Sequence, residues 1–486
     1  MHQAIETAIS CGRSLQSPQT GFVHYCYTAK DEGVNDTIPV YENVLFALAL
    51  LRSKNSGFVM EAREIIEKLL PFETPQGFPR YLHDYPQCFD RHLSAHLLLP
   101  FYWILKRFFL VIGNDLKTRL SEVVERTIKH ALRLHEEKEA PFSVAIKLAA
   151  ALCAFGEYWN KTDYQKKGKV LLQGLLEQSQ SSDFGTWFSP FYIGETLLAL
   201  QLVYPQISDS PWKKFWEFAQ ATWDNRHYSY IGPAAQVYHW SEEPEPLPYD
   251  LIMGAYTENY PYRFFPLRSF QLIGALYQID TKDRLQDLSL PHIIQGQAAG
   301  HAWLSRLDEK ISYGIFEKKV PLDPVTQKGF HVLRAIWGEV NQTHSFVCQG
   351  ENASEVHFQS TNDGLELIFH LNEEWQDQYK DTTEREVAFY TNRFEGMKIT
   401  VNQEKANTFQ LGDTVNLSSN TVSIDLRFTH LEGTGKFFGH IMPGNRPSQM
   451  NIKGANRFNA YDWVIFLRTV RRSGPCIIKV DVDFNS

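Results

Sequence analysis

The residues most able to do chemistry lie in three short stretches. The first is WFSPFYIGETLLALQLV (187–203), where Tyr192 and Glu195 stand three apart at the start of a leucine-rich helical pattern. That spacing puts a phenol and a carboxylate on one face near a helix entrance. Ser189 and Pro190 suit the N-cap and first helical positions. Two readings are open: Glu195 completes a capping arrangement while Tyr192 packs, or the pair opens onto a cleft. The second stretch, YSYIGPAAQVYHW (228–240), brings Tyr228, Tyr230, Tyr238 and His239 around a Gly-Pro turn. Tyrosine and histidine are proton-transfer groups when their surroundings tune them, and loop-bracing groups otherwise. The third, PRYLHDYPQCFDRH (79–92), gathers Arg80, Tyr81, His83, Asp84, Asp90, Arg91 and His92. Arginine grips a carboxylate with two parallel hydrogen bonds, so this cluster fits either an acidic ligand or an internal ion-pair network.

A further candidate is GKFFGHIMPGNRPSQ (435–449), with His440, Asn445, Arg446 and Gln449 around a Pro-Gly-Asn-Arg-Pro turn. These side chains are expected either to reach the first domain's cleft or to stabilise their own turn. No phosphate-binding glycine loop, HExxH pair or GxSxG elbow occurs, so nucleotide-driven and serine-hydrolase chemistry lose ground. Adjacent His83 and Asp84 rarely ligate one ion, and no metal or other cofactor is expected.

These groups need a scaffold, and the hydrophobic periodicity describes it. Up to about residue 280 the spacing is helical. The expected hairpins pair 40–53 with 58–72, 90–113 with 116–137, 141–159 with 163–178, and 189–205 with 211–225, and a further helix covers 262–279. In several pairs the leading helix is more apolar than the trailing one, which predicts a buried inner layer and a half-wet outer layer. Hairpins of irregular spacing curl into an α/α toroid, an incomplete helical-hairpin barrel, in preference to a regular repeat array. The stretches 77–90 and 227–264 read as long Tyr-, His- and Pro-rich loops. From about residue 285 the period becomes two, with turn signals NDG, LGD, EGTG and SGP between strand-like runs. About ten such strands predict an antiparallel β-sandwich. The expected class is therefore α+β multidomain, with a toroid over 1–285 and a β-sandwich over 286–486.

Composition bounds the rest. The chain has 486 residues, of which 43% are hydrophobic and 14% aromatic, and its formal charge is −8. That length calls for more than one core, and the acidic balance speaks against nucleic acid as the partner. The start MHQAIETAISCGRSLQ lacks the basic and apolar regions of a secretory signal. The most apolar run, 97–113, is broken by Lys106 and Arg107, so no membrane span is expected. Six scattered cysteines without a CxxC pair suit reduced thiols. The expectation is a soluble, cytoplasmic protein.

The segment SPFYIGETLLALQL resembles the SPxYxG start of a toroid helix in a group of lyase-like proteins, and IGPAAQVY is similar to that group's GPxxxxY loop. Toroid followed by sandwich resembles the polysaccharide lyases of the heparinase II/III, chondroitin lyase and alginate lyase type. What the resemblance implies is β-elimination on an acidic oligo- or polysaccharide, with Tyr192, Tyr238, His239 and Glu195 as catalytic candidates. Arg80, His83, Tyr230, His440 and Arg446 are the corresponding substrate-binding candidates. One departure is plain: the paired Asn and His helix motif of chondroitin and alginate lyases is not found. Two alternatives stay open. A glycoside hydrolase would need two carboxylates roughly 5 to 10 Å apart, drawn from Glu195, Asp84, Asp250 and Glu258. A non-catalytic carbohydrate-binding protein would keep the fold without the reaction.

Overall fold

The structure is a computed structural model that describes residues 3–24, 37–137, 140–180, 189–203, 210–233, 247–257, 288–298, 300–319, 331–339, 342–350, 353–361, 364–371, 385–446 and 461–485. The chain divides into two compact units. One comprises Met1–Ser181, Phe191–Phe218 and Pro246–Leu285; the other comprises Ser182–Pro190, Ala219–Glu245 and Gln286–Ser486.

The first unit is built from helical hairpins. Helix α1 (Gln3–Leu15) packs on α2 (Val40–Arg52), and α2 pairs with α3 (Ser56–Leu69). Next come α4 (Leu93–Ile112) with α5 (Asn114–Glu136), and α6 (Phe142–Tyr158) with α7 (Thr162–Ser179). The leading helices also pack on one another, α2 against α4 and α4 against α6. The predicted contrast between layers holds. In α6 the run from Val144 to Gly156 is buried throughout, whereas α7 buries only Gly168, Leu172, Leu175 and Ser179. Apolar residues all round α6 leave it stable only as an inner helix; the charged face of α7 stays in water. Helix α4 has the length and apolarity of a membrane span, and 56% of that window is buried inside the protein. It serves as an inner helix of this unit.

Helix α8 (Pro190–Leu200), α9 (Lys213–Ala221) and α10 (Pro248–Tyr256) complete the described helices. Gly194 of α8 explains the glycine of the SPFYIG stretch. A Cβ there would lie 2.3 Å from the Tyr249 amide nitrogen and 2.7 Å from the Pro248 carbonyl carbon. Only a residue without a side chain lets the start of α10 approach so closely. The 227–264 stretch is thus more than a loop. It contains α10 and the second strand of the hairpin β1 (Trp223–Asp224) and β2 (Ser229–Tyr230). Short strands and a nine-residue helix fall below the length at which periodicity speaks. The expected helix over 262–279 lies outside the described residues.

The second unit holds the strands, all paired antiparallel. Strands β3 (His292–Ala298), β4 (His301–Leu307), β5 (Ile311–Phe316), β6 (Leu333–Glu339) and β7 (Gln342–Cys348) follow one another as neighbours. Strand β10 (Arg385–Thr391) joins β7 to the long β15 (Tyr461–Asn485), which pairs along most of its length with β14 (Ser423–Arg446). Strands β8 (Ala353–Ser360) and β9 (Gly364–Leu371) extend the far half of β15, while β12 (Thr408–Phe409) and β13 (Thr414–Ser418) pair with β14 and β11 (Lys398–Val401) pairs with β13. Register shifts along β14 and β15 mark bulges, which bend long strands and let one sheet turn over on itself. Tyr313 of β5 consequently stacks on Phe484 of β15, ring centroids 4.7 Å apart, across two sheet faces. Those facing layers are the expected β-sandwich. The described cysteines, Cys11, Cys88, Cys153, Cys348 and Cys476, are free thiols.

Candidate functional site

The inner helices of the first unit gather polar residues at their N-terminal ends. Tyr41 stands in the first turn of α2, His96 in the first turn of α4, Lys147 in the second turn of α6 and Glu195 in the second turn of α8. The Tyr41 and His96 rings meet edge to face at 6.0 Å. Lys147 Nζ lies 2.7 Å from His96 Nδ1 and in direct contact with Glu195 Oε2. Glu195 Oε2 is itself 3.7 Å from His96 Nδ1. The Lys147 and Glu195 side chains are 1% and 6% exposed, whereas His96 keeps 27%. A charged pair is thus sealed in the helix layer with an imidazole between it and solvent.

Why these residues tolerate burial follows from their pairing. A lone buried ammonium or carboxylate costs several kcal/mol, and each here answers the other. Burial pulls the Lys147 amine well below its ordinary value, with Asp90 working the other way. His96 is likewise held well below the usual imidazole range, first by burial, then by Lys147 and His92. Pro100 in α4 removes the amide that would bond the His96 carbonyl, which loosens the helix at the turn carrying the ring. These residues stand in the first two turns of their helices, where the helix N-terminus adds partial positive charge, which favours an anion.

Tyr192 stands one turn before Glu195 on α8 and is 38% exposed. Its carbonyl accepts from Thr196 Oγ1 at 2.8 Å, so the helix holds its backbone. Glu195 meets Lys147 rather than a capping amide, which settles its structural role against the capping arrangement.

The 77–90 stretch is anchored beside the start of α2. The Val40 amide donates to the Arg80 carbonyl at 3.0 Å, and the Leu82 amide to the Ile38 carbonyl at 2.9 Å. Arg80 lies over the Tyr81 ring at 5.6 Å, Tyr81 stacks on His83 at 5.5 Å, and His83 Nε2 is 3.4 Å from Asp84 Oδ1. Its end reaches the inner cluster: Asp90 Oδ1 accepts from the His92 amide at 3.1 Å just before α4. Arg80 and His83 therefore belong to the segment that leads to the start of α4.

The second unit has its own polar cluster. Asp224 Oδ2 is 3.0 Å from His227 Nδ1 and 3.0 Å from the Arg226 guanidinium. His227 Nε2 meets the Gly338 carbonyl at 2.8 Å, and Arg226 also donates to Ser312 Oγ at 3.0 Å. Burial alone would raise the Asp224 carboxyl, but His227 and Arg226 outweigh it and hold it far below the usual carboxylate range. Beside it Tyr230 is fully buried. Its hydroxyl donates to the Pro233 carbonyl and its ring lies 5.2 Å beneath the Arg334 guanidinium. Both its polar tip and its face are occupied by protein. Gly314 accounts for the tightness, since a Cβ there would fall 1.9 Å from the Ile231 carbonyl oxygen.

His440 lies on β14 between Phe438 and Phe466, stacked on the latter at 5.4 Å. The Arg446 backbone ends β14 opposite Tyr461. Tyr238, His239 and Glu258 lie outside the described residues. Of the carboxylates considered for hydrolysis, Glu195 is engaged by Lys147, and Asp250 Oδ2 accepts from the Leu247 amide at the start of α10. Among the described residues, no group of three or more His, Cys, Asp or Glu is arranged to hold a metal ion.

Sequence reasoning missed His96 and Lys147, although both left a signal. Lys147 is the single charge in SVAIKLAAALCAF, and a lysine inside an all-apolar helix needs a buried partner. His96 follows His92 by four residues, on the same face of the helix entrance.

No family model matches the chain, and no curated protein matches it. Among solved structures, a chondroitin AC lyase from Streptomyces coelicolor A3, solved with chondroitin sulphate, is similar over 99% of this chain and 78% of its own, with 7% identity and a TM-score of 0.48. A heparan sulfate lyase from Pedobacter heparinus is similar over 100% of this chain and 84% of its own, with 9% identity and a TM-score of 0.39. For a heparinase III the shares are 100% and 84%, with 8% identity and a TM-score of 0.38. Heparinase III and chondroitin lyase are among the kinds of protein that the order of toroid and sandwich resembles.

Proposed function

We propose that the N-terminal ends of the inner helices bind a uronate-bearing oligosaccharide and cleave it by β-elimination. One observation carries this reading: Tyr192 presents its phenol in the turn before the buried Glu195–Lys147–His96 cluster. Elimination asks for three things: a partner for the uronate carboxylate, a base for the C5 proton and an acid for the leaving oxygen. Helix N-termini, His96 and the Arg80 segment supply positive or donating groups for the carboxylate. Tyr192 as phenolate takes the C5 proton, the released electron pair forms a C4–C5 double bond, and the C4–O bond breaks. The leaving oxygen then takes a proton, which Tyr192, protonated in the first step, can return.

Hydrolysis fits less well, because Glu195 and Asp250 already have partners that hold them in place. The test is a panel of uronate polysaccharides incubated with the purified protein, following the ultraviolet absorbance of an unsaturated product together with new reducing ends. The reading expects both to rise together. New ends without absorbance would replace elimination by hydrolysis, and binding without either would leave a carbohydrate-binding protein.

A further inference from the structure

His96 sits between a buried cation and solvent, and its two ring nitrogens have different surroundings. Nδ1 faces Lys147 Nζ at 2.7 Å, and Glu195 lies just beyond. Nε2 is neither bonded to a described group nor sealed from water, while the ring as a whole keeps 27% of its surface. An ammonium has donors only, and although burial lowers the Lys147 amine, the Glu195 carboxylate in direct contact with Nζ holds the proton there. Nδ1 must then accept, which places the proton of a neutral imidazole on Nε2.

We infer that Lys147 is a positioning residue that fixes His96 as the Nε2–H tautomer, so that the ring meets an acidic ligand as a hydrogen-bond donor and not as a base. The same contact orients the ring, because rotation about the side chain would break the Lys147 hydrogen bond inside a packed helix layer. A solvent-reaching N–H in the first turn of a helix suits a carboxylate. It also removes His96 from the list of bases and leaves the proton abstraction to a phenol. The ligand half of this inference rests on the proposed function; the tautomer half does not.

The tautomer is read directly from long-range 1H–15N spectra of the full chain labelled with 15N-histidine, with His96 assigned by its loss in His96→Gln. The wild type at neutral pH should show a non-protonated Nδ1 and a protonated Nε2. Lys147→Arg, which keeps a donor, should preserve that pattern. The double variant Lys147→Met/Glu195→Gln removes both charges and so avoids a stranded buried ion; in it the ring should populate both tautomers. A protonated Nδ1 in the wild type, or an unchanged ring in the double variant, would overturn the inference. Adding a chondroitin sulphate hexasaccharide should shift the Nε2 proton. Its binding should weaken about tenfold in His96→Ala and much less in His96→Gln, since the amide still donates. The predicted tautomer with no response to the hexasaccharide would uphold the positioning role and refute the acidic-ligand reading.

Discussion

Each unit buries a histidine against an acid and a cation, yet the two clusters do opposite things with it. In the strand unit, His227 has an acceptor on both ring nitrogens, Asp224 on one side and the Gly338 carbonyl on the other, and its side chain is 2% exposed. Nothing is left over for a ligand. The cluster staples the β1–β2 hairpin to β6. In the helix unit, His96 has a donor on one nitrogen and open space on the other. Residue types alone do not separate a brace from a site; the difference lies in which hydrogen-bonding capacity remains unused.

That contrast can be broken most sharply in the strand cluster. Asp224→Ala strands the buried His227 and the partly buried Arg226. It should lower stability by about 3 to 5 kcal/mol in denaturant unfolding. Activity per folded molecule should stay the same. A neighbouring histidine sharpens the comparison through pH. Burial, helped by His227, pulls His344 down to about 4 from 6.5. Its ring lies tilted against Phe394, centroids 3.9 Å apart. The unfolded chain therefore binds this proton more readily than the folded one. Stability is full above about 6.5 and declines as pH falls toward 4, by on the order of 3 kcal/mol. His344→Phe should flatten that part of a melting-temperature profile, and His96→Gln should flatten it too, because His96 is also held well below the usual imidazole range.

Gly194 tests the packing under the helix cluster. Gly194→Ala should cost about 1 to 3 kcal/mol by forcing α8 away from α10. A shift of α8 moves Tyr192 and Glu195 together, so turnover should fall more than stability does. Smallest of all in stability is His96→Gln, expected within about 0.5 kcal/mol of wild type because the ring edge is already open to water.

Much of the architecture was legible before any coordinates. The change of hydrophobic period near residue 285 separates helices from strands, and the apolar character of 141–159 against the charge of 163–178 gives the inner and outer layers. Gly194 and Gly232 show why the SPFYIG and IGP stretches carry glycine, a Cβ on Gly232 falling 2.5 Å from the Tyr230 hydroxyl, which no periodicity could reveal. Of the candidate site, the spacing of Tyr192 and Glu195 on one helix face is legible, but the partners of Glu195, Lys147 and His96, come from helices some 50 and 100 residues earlier. Contacts of that range leave no local pattern. For a related reason, a tyrosine in a polar loop looks the same in sequence whether it faces solvent or, like Tyr230, lies under Arg334.

The most direct test of the account compares the two units in one assay. Unsaturated product would be followed by ultraviolet absorbance on uronate oligosaccharides, for wild type, Tyr192→Phe and His227→Gln, each corrected for the folded fraction. The account predicts that Tyr192→Phe abolishes the product while His227→Gln retains the wild-type rate. Product formation surviving in Tyr192→Phe would contradict the assignment of the chemistry to the helix entrance.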